Sequence, residues 1–207
     1  MEVLTLCENL HNSNTYIVGN DKEVIVIDPS NDYRGIKKLI NDRLLLGIFL
    51  THGHYDHFKS ILKLLEIYDV SVYLNKEAYK KLSDPLSSCA IYFGEQQPFN
   101  IDQTKVNFIG DGQKLVLGDI NIKVLHTKGH TNCSICLIID DLLFSGDTLF
   151  NNGIGRYDLP TASLTDLTNS IKMLLNLKTN YLVYPGHNEP TTIFEEVKSN
   201  YFYQRIK

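Results

Sequence analysis

The segment Thr-His-Gly-His-Tyr-Asp-His, residues 51–57, carries the strongest structural signal in this 207-residue chain. It closes an apolar run, 44–51, that predicts a buried strand, and it precedes a periodic stretch, 58–67, that predicts a helix. Neutral imidazole and carboxylate groups are ligands of zinc and iron(II). Their density at the end of one strand predicts a metal site, with a histidine-rich surface loop as the alternative. The candidate ligands are His52, His54, Asp56 and His57.

Three further candidate ligands occur in short glycine-containing motifs. They are His130 in Lys-Gly-His-Thr, Asp147 in Ser-Gly-Asp-Thr and His187 in Pro-Gly-His-Asn. A single loop cannot easily supply a complete ligand set, and a preceding glycine lets the backbone turn sharply near a metal. Taken alone, each motif is equally compatible with an ordinary turn. The other histidines lack such a context, and we expect His11 in a turn and His126 packed near the site.

Apolar periodicity predicts strands and helices in two successive groups. The first contains strands at 2–6, 14–18, 23–27, 44–51 and 70–74, with helices at 33–41, 58–67 and 76–82. An irregular segment, 83–104, has an aromatic cluster at 91–93 and is expected to pack over another part of the molecule. The second group contains short strands between 106 and 144, a helix at 164–175, a strand at 181–184 and a last helix at 192–201. This order predicts an α/β fold of two sheets packed face to face with helices outside.

Composition excludes several classes of function. The chain has 20 Lys and Arg against 24 Asp and Glu, a net charge of −4, and no basic block that would bind nucleic-acid phosphates. No apolar run approaches the ~20 residues of a membrane-spanning helix. The first residues, Met-Glu-Val-Leu-Thr-Leu-Cys, have an acid where a signal peptide has basic residues. We therefore expect a soluble, cytoplasmic protein that binds neither nucleic acid nor membrane, and the oligomeric state is left open.

The four cysteines, Cys7, Cys89, Cys133 and Cys136, are too few and too scattered for a disulfide framework. The pair Cys133 and Cys136 forms a Cys-x-x-Cys motif, which is found in zinc sites and redox pairs. No second such motif occurs, and the following apolar residues predict a buried strand in which cysteine is a small apolar side chain. We expect the pair to belong to the core.

In order and spacing, the motifs T-H-G-H-Y-D-H, G-H-T, S-G-D-T-L-F and P-G-H-N-E-P resemble those of the metallo-β-lactamase superfamily. The resemblance covers residues 28–187 and implies an αββα sandwich of two mixed β-sheets. It also implies two divalent metal ions, most simply Zn²⁺, with iron or manganese suited to the same ligands. The implied ligands are His52, His54 and His130 for metal 1, Asp56, His57 and His187 for metal 2, and Asp147 as the bridge. Asp28 is implied to steady the histidine loop without binding metal.

The stretch that begins at Asp147, D-T-L-F-N-N-G-I-G-R-Y-D-L-P, resembles the glyoxalase II-like branch, the hydroxyacylglutathione hydrolases and their short relatives. In that branch Arg156 matches a basic position that contacts glutathione. Glutathione-specific members have tyrosines where this chain has Asp158 and Glu189. Their C-terminal helical glutathione-binding domain is expected to be absent, because the chain ends soon after the last candidate ligand. We therefore expect a single metallo-β-lactamase-fold domain over residues 1–207.

The resemblance implies hydrolysis of a thioester, with an S-2-hydroxyacyl thiol such as lactoylglutathione as the leading substrate. A metal-bound hydroxide would attack the carbonyl, and Asp56 would carry the proton. The main alternative is a persulfide dioxygenase with one iron on His52, His130 and Asp147, because two histidines and one carboxylate suffice for such chemistry. A lactonase of the same fold is a third alternative. A non-catalytic metal-binding scaffold is least favoured, because it has no need for a bridging carboxylate.

Overall fold

The first half of the chain builds one six-stranded sheet whose strands follow their order in the sequence. The computed structural model describes residues 1–8 and 12–207, so the turn predicted at His11 lies outside the described residues. The strands are β1 (Glu2–Leu6), β2 (Thr15–Gly19), β3 (Glu23–Ile27), β4 (Leu44–Phe49), β5 (Val72–Leu74) and β6 (Val106–Phe108). The first three are antiparallel, whereas β3 to β6 run parallel. The near-continuous apolar sequence of β3 fits a central strand that is covered on both faces.

The second half builds another six-stranded sheet. Its strands are β7 (Lys114–Leu117), β8 (Ile120–His126), β9 (Ile135–Ile139), β10 (Leu142–Gly146), β13 (Leu182–Pro185) and β14 (Thr191–Thr192). Between β10 and β13 the chain forms a separate small hairpin of β11 (Leu149–Phe150) and β12 (Gly153–Ile154). Their spatial order is β14-β13-β10-β9-β8-β7. Strands β10 and β13 are parallel, and the other pairs are antiparallel. Both sheets are therefore mixed.

Helices cover the outer face of each sheet. Those on the first sheet are α1 (Tyr33–Ile40), α2 (Ile61–Leu65) and α3 (Lys76–Leu82), and those on the second are α4 (Leu164–Leu175), α5 (Ile193–Ser199) and α6 (Tyr203–Ile206). Strand β3 shows how alternation separates the layers. Val24 and Val26 pack under the helices, whereas Ile25 and Ile27 face the other sheet. The order helix, sheet, sheet, helix confirms the predicted αββα sandwich.

Two predicted helices are shorter than the periodicity indicated. In place of a helix over 58–67, the chain forms a 3-10 turn at Tyr55–His57 and then the five-residue α2. The helix predicted over 192–201 breaks at Asn200, which leaves the helical conformation. The side-chain oxygen of Asn200 accepts hydrogen bonds from the backbone N–H groups of Phe202 and Tyr203, both at 3.1 Å, and so caps α6.

The Cys133 and Cys136 side chains are fully buried. Cys133 belongs to the apolar cluster between the first sheet and its helices, and Cys136 to the cluster between the second sheet and its helices. Burial raises the pKa of Cys133, and it raises the pKa of Cys136 to about 12. The prediction that this pair belongs to the core is confirmed. Within residues 1–8 and 12–207, no helix has the length and apolar character that crossing a bilayer requires.

Candidate metal centre

The candidate ligands follow four strands, one from the first sheet and three from the second. His52, His54, Asp56 and His57 come just after β4, and the 3-10 turn at Tyr55–His57 directs the last two. His130 lies in the loop after β8, Asp147 directly after β10, and His187 after β13. Strand carboxyl ends from both sheets thus contribute side chains to one place.

The structure brings these side chains together as two groups of three. One group is His52, His54 and His130, and the other is Asp56, His57 and His187. Within each group the possible ligand atoms lie within 4.8 Å of one another. These groups coincide with the ligand sets implied by the resemblance, and their role as ligands stays a prediction.

Asp147 lies between the two groups. Its Oδ1 is 3.4 Å from His57 Nε2, and its Oδ2 is 3.5 Å from both His130 Nε2 and His187 Nε2. One carboxylate oxygen therefore faces the second group and the other faces both. This is the placement that a carboxylate shared by two cations requires.

Hydrogen bonds hold the histidine rings so that their Nε2 atoms face the cluster. The Nδ1–H of His57 donates to Asp28 Oδ2 at 3.0 Å. The Nδ1–H of His130 donates to the Arg156 carbonyl at 2.8 Å, and that of His187 to the Asn12 carbonyl at 3.2 Å. A proton on Nδ1 leaves a lone pair on Nε2, the form of imidazole that binds a metal.

Asp28 supports the histidine loop from outside the cluster. Its Oδ1 accepts from the Thr51 backbone N–H at 2.8 Å, and its Oδ2 accepts from the Thr51 hydroxyl at 2.6 Å. Thr51 Oγ1 in turn lies 3.0 Å from His52 Nδ1. Asp28 is also near enough to His52 and His57 to be a third potential metal group. Because its oxygens already hold Thr51 and His57, we assign it a positioning role, as the resemblance implied.

The first group is suited to bind a cation with neutral rings. Burial lowers the pKa of His52 well below its ordinary value, and the neighbouring His57 lowers it further. Burial and the nearby His130 lower the pKa of His54 to about 3, and burial also lowers the pKa of His130. The His54 Nδ1 and His130 Nε2 atoms face each other at 2.9 Å. All three rings therefore keep a lone pair at neutral pH.

Carboxylates give the second group a strongly negative electrostatic potential. Burial by itself lowers the pKa of His57, but the carboxylates of Asp147 and Asp56 raise it to about 9. The same carboxylates outweigh burial at His187 and raise its pKa to about 11. The negative charge of the two carboxylates therefore keeps both histidines protonated although they are buried. The same negative charge favours a divalent cation in place of the two protons.

Unpaired buried atoms indicate that the cluster is built for a metal. Among the described residues, five buried side-chain polar atoms lack a hydrogen-bond partner, and four of them are His52 Nε2, His54 Nε2, His57 Nε2 and Asp147 Oδ1. Leaving one such group unsatisfied costs about 1 to 3 kcal/mol. The residues present therefore fit a dinuclear metal site, and these donors suit zinc, iron or manganese.

Two glycines allow the ligand loops to meet. A Cβ atom on Gly186 would lie 2.1 Å from Asp147 Oδ1, so only glycine can precede His187 there. Gly146 has φ +50°, and a Cβ atom on it would lie 2.5 Å from Thr51 Oγ1. Both positions confirm the expectation that glycines before the ligands permit close approach.

A cavity of about 300 Å³ opens onto the cluster. Besides five of the candidate ligands, it is lined by Cys89, Tyr92, Phe93, Phe150, Arg156 and Leu159. The expectation that the 91–93 cluster packs over another part of the molecule is met only at Phe93, whose ring lies 5.7 Å from that of Tyr55, whereas Ile91 and Tyr92 are exposed. Sequence reasoning found Arg156 but missed Phe150 and Leu159, although both lie in the stretch that begins at Asp147. It also expected His126 to pack near the site; its Nε2 lies 3.2 Å from the Asn132 carbonyl, and His126 does not line the cavity.

Comparison with known proteins agrees with this geometry. The family model of the metallo-beta-lactamase superfamily matches residues 9–187. The chain is 34% identical over 210 residues to a probable metallo-hydrolase of Streptococcus pyogenes, covering 98% of this chain and 90% of the relative. It is also 34% identical over 190 residues to the hydroxyacylglutathione hydrolase GloC of Haemophilus influenzae, covering 88% of each.

Solved structures share the whole fold. The B3 metallo-beta-lactamase BLEG-1 has a TM-score of 0.90 at 29% identity, over 98% of this chain and 99% of that one. TTHA1623 in a di-iron-bound form has a TM-score of 0.84 at 30% identity, over 98% and 100%. ETHE1 from Myxococcus xanthus has a TM-score of 0.74 at 28% identity, over 97% and 84%. Sequence, fold and site geometry together show that the chain belongs to the metallo-beta-lactamase superfamily.

Proposed function

We propose that this protein is a dinuclear-metal hydrolase that cleaves thioesters, with S-2-hydroxyacyl thiols such as lactoylglutathione as the leading substrate class. The observation that carries the proposal is the pair of ligand groups on either side of Asp147, which faces both. The similarity to a relative named hydroxyacylglutathione hydrolase supports the substrate class.

In this proposal His52, His54 and His130 hold one cation, Asp56, His57 and His187 hold the other, and Asp147 is shared. Zn²⁺ is the first choice, and iron or manganese suits the same donors. When bound, two such cations lower the pKa of a water molecule and polarise a carbonyl oxygen.

Other side chains of the cavity are proposed to bind the substrate and to transfer a proton. Asp56 lines the cavity, with its Oδ2 3.5 Å from His187 Nε2, and its carboxylate can accept the proton of the attacking water. Arg156 also lines the cavity and is the proposed contact for a polar thiol carrier. The aromatic side chains of Tyr92, Phe93 and Phe150 line the same cavity. We further propose that the substrate is a small molecule and that the protein acts in the cytoplasm.

The test is metal content combined with hydrolysis of lactoylglutathione. We expect two metal ions per chain and release of thiol, and we expect Asp147→Ala to lose most activity while staying folded, because it removes the shared ligand. Asp141→Ala is the matched control, since Asp141 is the exposed carboxylate at the other end of β10. Near wild-type turnover in a folded, metal-loaded Asp147→Ala protein contradicts the proposal.

A persulfide dioxygenase is the second candidate, with one iron on His52, His130 and Asp147. The proximity of His130 Nε2 to Asp147 Oδ2, 3.5 Å, favours it, because the same three side chains form a two-histidine, one-carboxylate set. Oxygen consumption in the presence of a persulfide distinguishes it from the thioesterase. A fully loaded protein that never holds more than one ion, and that consumes oxygen, supports the dioxygenase. A lactonase is tested by including lactones in the hydrolysis screen.

A further inference from the structure

The part of the cavity wall that does not consist of candidate ligands is largely apolar. It is formed by Cys89, Tyr92, Phe93, Phe150 and Leu159, with Arg156 as the remaining member. The Phe150 ring lies edge-on to the His187 ring, with 6.0 Å between their centres. The Phe93 ring lies 5.7 Å from that of Tyr55, the neighbour of Asp56 in the 3-10 turn. The apolar surface therefore begins directly beside the candidate metal ligands.

The cavity offers little unpaired charge to a polar group. Of the described residues that line it, Arg156 is the only lysine or arginine. Its Nε and Nη2 atoms each donate to a carboxylate oxygen of Asp158 at 2.9 Å. This bidentate pair uses two of the five guanidinium N–H donors and places a carboxylate beside the positive charge, which reduces the net charge that a substrate meets.

The same wall leaves apolar surface open to solvent. Tyr92 is 68% exposed, although its ring lines the cavity. Apolar side chains that line a concave site and remain uncovered are typical of a ligand-binding surface. The volume of about 300 Å³ is far larger than a methyl group needs.

We propose that this wall binds a bulky apolar substituent on the acyl group of the substrate. The preferred substrates are then 2-hydroxyacyl thioesters that carry an alkyl chain or a phenyl ring in place of the methyl group of lactate. This inference rests on the proposed thioesterase function. The reaction is unchanged: water adds to the carbonyl, the carbon–sulfur bond breaks, and a carboxylic acid and a free thiol are released. Burial of the apolar substituent against the wall supplies the preference.

The experiment compares acyl groups on matched carriers with the metal-loaded wild-type protein. Lactoyl, 2-hydroxyhexanoyl and mandeloyl thioesters are prepared on glutathione and, separately, on N-acetylcysteamine. We expect kcat/KM to be at least about tenfold higher for the two apolar acyl groups on either carrier, since each extra buried methylene contributes about tenfold or more. Equal or better hydrolysis of the lactoyl thioester overturns the inference, and so does a preference that follows the carrier and not the acyl group.

Variants locate the preference in the wall. Leu159→Ser and Tyr92→Ser are expected to reduce the ratio of apolar to lactoyl kcat/KM by about tenfold, whereas the conservative Leu159→Met is expected to retain it. Tyr157→Ser is the matched control, because Tyr157 belongs to the same loop, is 49% exposed and does not line the cavity. An unchanged ratio in both serine variants of the wall contradicts the inference.

The outcomes separate this inference from the function on which it rests. Hydrolysis of these thioesters without an acyl preference refutes the inference and leaves the thioesterase intact. Failure of the metal-loaded protein to hydrolyse any of them refutes the proposed function and the inference with it.

Discussion

Arg156 is the only lysine or arginine among the described residues that line the cavity, and its partner Asp158 decides how much of that charge a substrate meets. The pair is exposed and lies at the cavity that opens onto the ligands. Glutathione carries carboxylates, and a carboxylate of the substrate would compete with Asp158 for the same guanidinium. The carrier specificity of the proposed enzyme therefore depends on two neighbouring residues of opposite charge.

We expect Arg156→Ala to raise KM for lactoylglutathione more than it lowers kcat, because the guanidinium lies apart from the reacting carbonyl and contributes binding that is uniform along the reaction. Asp158→Asn is the matched opposite, and it is expected to lower KM by freeing Arg156 and removing a negative charge. Steady-state kinetics on glutathione and N-acetylcysteamine thioesters measure both effects. A change of the same size on the uncharged N-acetylcysteamine carrier would show that Arg156 acts on the loop and not on the carrier.

The buried cysteines give a second prediction at this scale. The thiolate is the reactive form of cysteine. Because burial raises the pKa of Cys136 to about 12, its reaction with an alkylating reagent should be negligible at pH 8 and increase only as the pH approaches that pKa. We expect the exposed Cys7 to be alkylated in the folded protein and Cys133 and Cys136 only after unfolding. Mass spectrometry of digested samples measures this, and labelling of Cys136 in the folded state at pH 8 contradicts it.

Single residues were predictable from sequence where a local motif marks them. The seven predicted ligands stand in four short patterns, and the structure brings all of them to one place. Thr51 was not assigned a role, because its contact with Asp28 joins segments that lie apart in the chain. The hydroxyl of Thr51 matters only because Asp28 lies beside it, and no periodicity in the sequence encodes that pairing.

At the scale of elements, helix α3 joins the ligand loop to the loop that follows β12. The buried Lys81 side chain packs against the backbone at Gly53, where an added Cβ would lie 3.0 Å from Lys81 Cβ. Its Nζ donates to Thr161 Oγ1 at 2.6 Å. The loop that contains Thr161 also contains Arg156, whose carbonyl accepts the hydrogen bond of His130. One lysine thus fastens two segments that orient candidate ligands.

We expect Lys81→Met, which keeps most of the apolar stem, to lower the free energy of unfolding by about 1 kcal/mol, because it removes one partly buried hydrogen bond. Lys80→Met is the matched control, since Lys80 lies on the exposed side of the same helix and, among the described residues, its side chain hydrogen-bonds only to Glu77. Loss of the exposed Lys80–Glu77 ion pair should change the free energy of unfolding by less than about 0.5 kcal/mol. Urea denaturation measures both, and equal stability of the two variants refutes the role of Lys81.

Elements were predicted best where a cap residue marks their start. Helices α3 and α4 have the predicted bounds, and Asn75 and Ser163 cap them with side-chain hydrogen bonds. The two failures have different causes: the helix predicted over 192–201 breaks at Asn200, whose side chain accepts hydrogen bonds from Phe202 and Tyr203. Residues 58–60 carry helical periodicity but must follow the 3-10 turn that directs Asp56 and His57, so tertiary demands outweigh the local pattern.

At the scale of the whole molecule, the candidate ligands come from both sheets. A cation bound there stabilises the folded chain, because the unfolded chain has no such site. We expect removal of metal by a chelator to lower Tm by about 5 to 10 °C. A ligand at a hundredfold excess over its Kd contributes about 2.7 kcal/mol, and 1 kcal/mol corresponds to about 2 to 4 °C in a chain of this size.

Calorimetry with parallel elemental analysis makes this measurement, with chelator saturated beforehand with Zn²⁺ as the control. A Tm that stays constant while the metal content falls to zero contradicts a metal site shared by the two sheets. The two-sheet architecture was itself predictable, because the strands occur in two successive groups. The distance between the sheets, which sets the separation of the ligands, was not predictable. It arises from the packing of Ile25, Phe49 and Phe144.

The chain passes from the first sheet to the second only once, between β6 and β7. On the ribosome, the first sheet can therefore complete its strand pairing while the other strands are still unmade. At about 5 to 20 residues per second, the stretch from β7 to β14, about 80 residues, takes about 4 to 16 seconds to synthesise. During that time Ile25 and Phe49 have no opposing sheet, and the nascent chain presents an uncovered apolar face. Covering that face and completing the ligand groups then await the same event, the arrival of the second sheet.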